Sequence, residues 1–558
     1  MIEKIFILAS TGSTTLNSVL SECLNYTSEY FVKILLTDSG TYSLDRRFSL
    51  HCNLKISGTV DSNGNKSTIS FKKTAFPDVQ TGKWGDSFIG VSGAGVYYVN
   101  GGNKSIDRLQ VSIENVQIKL VDGNFPGNTD YSELLLLSLR GCCKINLFNT
   151  DLFLKQGPIT NIDIRESDNI TISGCIVENR NGRSSSSGTV NNKVGGVLWI
   201  RGGCRNVRIF GNRFYKNGND EMLGIWGGSQ KEYSMEDIEI VDNLMEYGNA
   251  SETAYSIDVL IAFTSDIDSS TVRRQNWKNL TFARNIIQCN AVVRRCMWLT
   301  FQTCDDIENI RISDNSFLHN AYISTASDGY VEDIEIRRIS KSLSEGTYNG
   351  VRISNNQFVA KETIVHSNGH RNIILTDSKA YINNNIVDAS AQLTQISGKT
   401  TKGSTFLSLS GATDSAFISS NRIIGTCRLI QSFSSSLKRA TIECCNNYIS
   451  GSSEIYLRHT VTEANVLVKG NTIENGTYYP FFQESARSGR IVLTDNVYIR
   501  DRSATNGGVL FEQYGTSENP SFSCVVVTGN TFVGYKTTVT DSAKKLGSNV
   551  YIGNNLTF

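Results

Sequence analysis

A short phrase recurs along this chain, and nothing else in the sequence constrains the fold as tightly. "VRIFGNRFYK" stands at 207, "IEIVDNLMEY" at 238, "IRISDNSFLH" at 310, "VRISNNQFVA" at 351, "VLVKGNTIEN" at 466 and "VVVTGNTFVG" at 525. Each is a brief apolar alternation, then Asn, then an apolar residue two places later. The marker falls at Asn212, Asn243, Asn285, Asn315, Asn356, Asn385, Asn421, Asn447, Asn471, Asn496 and Asn530, and at Asn554 or Asn555; Cys175 holds the same slot in "ITISGCIVEN". Successive markers lie about 24 to 42 residues apart, the period of a solenoid whose turns bury an apolar face only by stacking. Alternation with period two makes the repeating unit a strand. Asn suits the corner between strands because it tolerates left-handed backbone angles and hydrogen-bonds locally. Stacked at about 4.8 Å per turn, such amides can bond to one another in a ladder.

Composition agrees with a large folded core. The 558 residues are 39% hydrophobic and 19% charged, which argues against disorder. With 5 prolines against 47 glycines, chain reversals fall to Gly, Asn, Asp and Ser. A net charge of +1 gives no reason to expect nucleic acid or a membrane surface as partner. No apolar run approaches the roughly 18 residues of a bilayer span, and "IFILA" is shorter than the roughly 7 to 15 residues of a secretory signal core. It reads as the first strand or coil of the fold. The 13 cysteines follow no disulfide framework. The adjacent pairs Cys142–Cys143 and Cys444–Cys445 would point to opposite faces of strands. The pattern fits reduced core thiols in a protein made in a cytosol, with an extracellular destination open through cell lysis.

The repeated turns resemble the right-handed parallel β-helix of the pectin-lyase-like superfamily, which includes polysaccharide lyases, glycoside hydrolases and bacteriophage tailspikes. The resemblance covers roughly 140 to 558 and speaks to architecture more than to chemistry. Near the start, Leu16, Val19, Leu20, Cys23 and Leu24 have helical spacing, with Ser13 as a cap. Strand "FVKILL", turn-rich "DSGTYSL" and "CNLKISG" follow. That order is similar to the N-terminal cap of tailspike-like β-helices. The expected fold is therefore all-β: a right-handed single-stranded parallel β-helix solenoid with a short N-terminal capping helix. Residues 1–60 would form the cap, 61–140 irregular early turns with long loops, and 141–558 the regular β-helix with loop insertions.

A regular solenoid is a scaffold, and function sits where the regularity breaks. Three long excursions stand out: "NRNGRSSSSGTVNNKVGG", "NASETAYSIDVLIAFTSDIDSSTVRRQNW" and "NAYISTASDGYVEDIEIRRISKSLSEGTYNG". The strands "NIDIRES", "VLWIRGG", "LGIWGGS", "DVLIAFT" and "MWLTFQT" would stack and bring Arg165, Trp199, Arg201, Trp226, Phe263 and Trp298 onto neighbouring turns as a sugar-binding surface. Aromatic faces pack on sugar C–H groups while charged and amide groups meet the hydroxyls; the competing reading is that some of these rings fill the core. Glycoside hydrolysis needs two carboxylates, and Asp163, Glu166, Glu221 and Asp258 are the first candidates, with Glu178 and Asp220 nearby and Glu484 with Glu512 as a second pair. A lyase would draw on Arg165, Arg201, Arg294 or Arg295. His366 and His370 in "HSNGH" have metal-like spacing only on a helix, and the intervening Asn-Gly favours a turn, so they read as surface residues. No metal or cofactor is expected.

The resemblance implies a phage tailspike or tail-appendage protein that binds, and could depolymerise, host-surface polysaccharide. It further implies a homotrimer located in the virion tail beside other tail proteins, made in the host cytoplasm. A secreted bacterial polysaccharide lyase or hydrolase, and a non-enzymatic virion or adhesin shaft, are the alternatives.

Overall fold

The structure, a computed structural model, describes residues 1–72, 75, 87–92, 108–120, 134–154, 159–179, 196–217, 221–227, 234–248, 256–264, 275–302, 304–320, 331–339, 348–361, 370–390, 404–411, 414–426, 428–432, 440–451, 455–457, 462–475, 481–484, 488–500, 509–512, 524–535, 539–541 and 549–558. Two compact units divide the chain, one built on Met1–Ala291 and the other on Val292–Gln302, Glu308–Leu343 and Tyr348–Phe558.

Each unit is a right-handed parallel β-helix, in which successive turns add one strand to each of three parallel sheets. In the first unit, Cys142–Phe148, Asp168–Ser173, Arg205–Phe210 and Met235–Val241 pair in order in the first sheet. Asp151–Leu154, Ile176–Asn179, Arg213–Lys216 and Leu244–Tyr247 do so in the second. The third holds Leu134–Arg140, Ile159–Arg165, Leu198–Arg201, Leu223–Trp226 and Ser256–Thr264. Alternation sends Ile170 and Ile172, Val207 and Ile209, and Ile238 and Ile240 inward in register, each fully buried. Each such side chain contributes about 1.5–3 kcal/mol of burial, and only a neighbour on the next turn can supply the cover.

The Asn slots form the expected ladder. In the first unit Asn212 Nδ2 donates to Asn243 Oδ1 at 2.9 Å and Asn243 Nδ2 to Asn285 Oδ1 at 3.0 Å; Cys175 joins by donating its backbone N–H to Asn212 Oδ1 at 2.9 Å. In the second unit the chain of amides runs from Asn315 through Asn356, Asn385, Asn421, Asn447, Asn471, Asn496 and Asn530 to Asn555. Asn555, not Asn554, is the last member. Each carboxamide oxygen also accepts the backbone N–H of the preceding ladder residue, as Asn471 does from Asn447 at 2.9 Å.

Of the two reasons expected for Asn at this slot, the amide ladder holds and the left-handed backbone does not. The left-handed residue at the corner is the one before the ladder Asn: Asp242, Arg284, Asp314, Asn355, Asn384, Ser420, Asn446 and Asp495 all have φ between 54° and 59°, with Gly174, Gly211, Gly470 and Gly529 at the same place in other turns. The ladder Asn faces inward and is selected for its buried amide. Backbone reversal and amide stacking are thus assigned to two consecutive positions.

At the N-terminus Leu16–Cys23 is helical and capped by Thr15, two residues after the expected Ser13. Thr15 Oγ1 accepts from the Ser18 backbone and Ser18 Oγ from the Thr15 backbone, a reciprocal capping box. Leu16, Val19, Leu20 and Cys23 are buried against Thr41–Leu44 and Phe48–Leu50, while Leu24 lies outside the helix and is exposed. Ile5–Leu8 of the apolar "IFILA" lie within the strand Ile2–Leu8, in register with Tyr30–Leu36. Within 61–140 the strands Ser67–Phe71, Ser87–Ser92, Leu109–Glu114, Val116–Leu120 and Leu134–Arg140 are already parts of the three sheets. The excursion at 320–350 contains a full third-sheet strand, Val331–Ile339. The eleven cysteines whose side chains the structure describes are free, and Cys142 and Cys444 point inward while Cys143 and Cys445 are half-exposed.

Candidate functional site

In the first unit the outer face of the third sheet carries a layer of charged and aromatic side chains. Ile162, Ile164, Leu198, Ile200, Leu223 and Ile225 take the inward positions, so the residues between them face out. Register aligns Asp163 with Trp199 and Gly224, and Arg165 with Arg201 and Trp226. Asp163 has no exposed surface and accepts from Arg165 Nε at 2.6 Å and Arg201 Nε at 2.7 Å. The Arg201 guanidinium lies 4.7 Å from the Trp199 ring centroid and 5.5 Å from that of Trp226, and the two indoles stack at 5.5 Å. Gly224 makes room for them: a Cβ there would stand 2.9 Å from Trp199 Cδ1 and 3.0 Å from Trp226 Nε1. Beside this layer Arg140 donates from Nε and Nη2 to Glu166, whose backbone is left-handed at φ 51°.

The remaining first-unit candidates fall elsewhere. Trp199 and Arg201 share the outer face but are only 6% and 7% exposed, so they are packed into the layer. Trp226 is also outward, and half-buried. Phe263, in register with Ile225, faces inward and meets Phe282 edge-on at 6.2 Å, which removes it from any outer surface. Trp277 is fully buried in the first sheet. Glu221 is half-buried just before Leu223–Trp226, and Glu178 lies on the second sheet, away from Asp163's sheet. The side chain of Asp258, together with Asp220, His366, Glu484 and Glu512, lies outside the described residues. The strands of the last pair are adjacent, with Gln483 opposite Glu512.

In the second unit the strands Val292–Gln302, Val331–Ile339 and His370–Thr376 bring together a cluster whose acidic members the sequence reading missed. Arg295, Glu332 and Arg371 are in register, as are Trp298, Glu335 and Ile374. Arg295 Nε donates to Glu332 Oε2 at 3.0 Å and stands 2.6 Å from Glu335 Oε2 as an ion pair without hydrogen-bond alignment, so a single guanidinium nitrogen lies between two carboxylates. Arg371 Nη1 approaches Glu332 Oε1 at 3.7 Å. The Arg295 guanidinium also lies 5.5 Å from the Trp298 ring. Burial, reinforced by the neighbouring Glu335 charge, pushes the Glu332 carboxyl up to about 7 against the pull of Arg295, Arg371 and Arg294. The sequence places this strand inside a long excursion because its charges mask the pattern; Ile334 and Ile336, both fully buried, are the available signal.

Behind this face, register skips Asp333 between Glu332 and Ile334, and its side chain turns to the interior. There it meets His319 Nε2 at 2.5 Å, His370 Nε2 at 3.2 Å and Asn372 Nδ2 at 2.8 Å. Burial alone would raise Asp333, but the His370 and His319 rings hold it well below the usual carboxylate range. His370, expected at the surface, is 2% exposed: its Asn-Gly neighbours precede a strand that carries it inside.

Set beside protein-family models, curated proteins and solved structures, the chain matches none of them.

Proposed function

We propose that this β-helix is a bacteriophage tail appendage that binds host-surface polysaccharide along the outer face of its third sheet and hydrolyses it at Glu332 and Glu335. The observation that carries the reading is the bridged carboxylate pair beside Trp298 and two arginines. Oxygens that share one nitrogen at 3.0 and 2.6 Å are no more than about 5.6 Å apart, which suits the roughly 5–5.5 Å separation of a retaining glycosidase and not the roughly 6.5–9.5 Å of an inverting one. Glu332, with its carboxyl at about 7, retains a proton near neutrality and would donate it to the departing glycosidic oxygen. Glu335 would attack the anomeric carbon, forming a glycosyl ester as the C–O bond to the leaving sugar breaks. Water, deprotonated by Glu332, would then release the sugar and regenerate both groups. Trp298 offers a face for a sugar ring, and the arginines suit an acidic glycan.

The test is incubation with a panel of bacterial surface polysaccharides, reading new reducing ends. Cleavage by the wild type, its loss in Glu332→Gln with retention on a glycan column unchanged, and a fall in rate above about pH 7 are the expected results. Ultraviolet absorbance from unsaturated sugar ends would instead favour a lyase. Neither product nor retention would defeat the proposal and favour a second reading, a structural shaft, for which the packed, charge-neutralised Asp163–Arg201–Trp199 layer speaks. A homotrimer in the virion tail belongs to the same proposal, and light scattering tests its stoichiometry.

A further inference from the structure

We propose that His319, Asp333 and His370 form a binding site for a zinc-class divalent cation inside the second unit. The inference is independent of the glycan-cleavage reading, since the cluster lies on the interior side of the strand whose outer side carries Glu332.

Two of the chain's five histidines converge on one carboxylate, and all three residues are almost wholly buried. Their candidate ligand atoms lie within 4.8 Å of one another. His370 Nε2 stands 3.2 Å from Asp333 Oδ2, close to the roughly 3.3 Å that separates two ligands held tetrahedrally at about 2.0–2.2 Å from zinc. Although near, that nitrogen lacks hydrogen-bond alignment to the carboxylate, and His370 Nδ1 has no hydrogen-bond partner either. A buried imidazole with neither nitrogen in a hydrogen bond is costly. Two donor atoms that are close but misaligned for a shared proton have the geometry of atoms converging on a third.

The surroundings favour a cation of this class. Asn372 Nδ2 donates to Asp333 Oδ2 at 2.8 Å and so fixes the carboxylate's orientation, as groups around metal ligands commonly do. Cys296 Sγ is 3.7 Å from His319 Nε2 and belongs with Cys289 to a second group around that imidazole, outside the His319–Asp333–His370 set. Two imidazoles and a carboxylate suit zinc or cobalt, with the fourth position open to water; calcium and magnesium demand oxygen ligands. Three of these residues come from consecutive third-sheet turns (Cys296, Asp333, Asn372), at the step where register is skipped on both sides of Asp333. The bound ion would pin the turns of Asp333 and His370 to the second-sheet strand Ser316–His319.

The test uses tag-free full-length protein expressed in medium supplemented with Zn²⁺, and separately with Co²⁺ in its place, then dialysed against chelator at neutral pH. Elemental analysis should find about one equivalent of metal per chain, and the cobalt form should show the visible d–d bands of a tetrahedral site. His370→Asn and His319→Asn should each lower retained metal at least tenfold. Wild-type protein with less than a tenth of an equivalent, or a full equivalent kept by both variants, would overturn the site. Should either variant fail to fold, metal content and spectrum of the wild type decide alone: an octahedral or absent cobalt spectrum counts against it.

Discussion

The neighbours Asn446 and Asn447 permit a test of why this chain repeats asparagine. Asn446 is exposed, with φ 56°, and turns the corner. Asn447 is 2% exposed and accepts the Asn421 backbone N–H at 2.8 Å and the Asn421 Nδ2 at 2.9 Å. Its own Nδ2 donates to Asn471 Oδ1 at 2.9 Å, with the Cys445 and Ile418 carbonyls at 3.1 and 3.2 Å. Asn447→Ala removes the two accepted and two donated bonds, at about 1 kcal/mol each, and orphans buried donors of Asn421. The expected loss is about 3–5 kcal/mol. Asn446→Gly keeps a residue at home in left-handed backbone and should shift stability by about 0.5 kcal/mol or less. Native-state hydrogen exchange reads both effects. With about 1.4 kcal/mol per decade, amides of the turns around Asn421 and Asn447 should exchange roughly a hundred- to several-thousandfold faster in Asn447→Ala, and within a few-fold of wild type in Asn446→Gly. Equal effects of the two substitutions, or a loss under about 1 kcal/mol for Asn447→Ala, would refute the amide-column argument.

Three further outcomes are expected. Because the folded Glu332 carboxyl titrates at about 7 and its ordinary value is 4.5, the folded state holds a proton there that the unfolded chain has released, so this group alone should lower stability as pH rises from 4.5 to 7, by up to about 3 kcal/mol. Glu332→Gln should reduce the slope of that stretch of a denaturant-midpoint profile, leaving the part due to Asp414, whose carboxyl is also pushed up to about 7 by burial; an unchanged slope would count against the burial of Glu332. Gly224→Ala forces the stacked indoles of Trp199 and Trp226 apart and should cost about 1–3 kcal/mol, with a changed near-ultraviolet dichroism; an unchanged spectrum would contradict the packing. Asp163→Asn takes the carboxylate away from the buried Arg201 and should destabilise by about 3 kcal/mol, a penalty that Arg201→Met on the same background should partly relieve.

The coil was legible because stacking imposes one demand on every turn. A buried amide column tolerates only residues that can both donate and accept at the same place, so Asn447, Asn471 and Asn496 announce their alignment whatever the loop lengths between them. The inward Ile and Val positions repeat for the same reason. The outer face has no such rule: each turn meets a different environment there, so the pairing of Glu332 with Glu335 through Arg295 left no periodic trace. Phe263 shows the ambiguity from the other side, since alternation separates the faces of a strand but composition does not say which is inside. The His319–Asp333–His370 cluster was invisible because its members belong to different turns and sheets. Its proximity depends on register and on a skipped pairing at Asp333, neither of which local spacing encodes.

The most direct measurement is a density map of the protein sharp enough to place side-chain amides in the second unit. A stacked-turn coil requires the carboxamides of Asn421, Asn447, Asn471 and Asn496 to follow one another at about 2.9 Å, each oxygen facing the nitrogen of the turn before. Carboxamides scattered to separate parts of the molecule, or pointing into solvent, would contradict it.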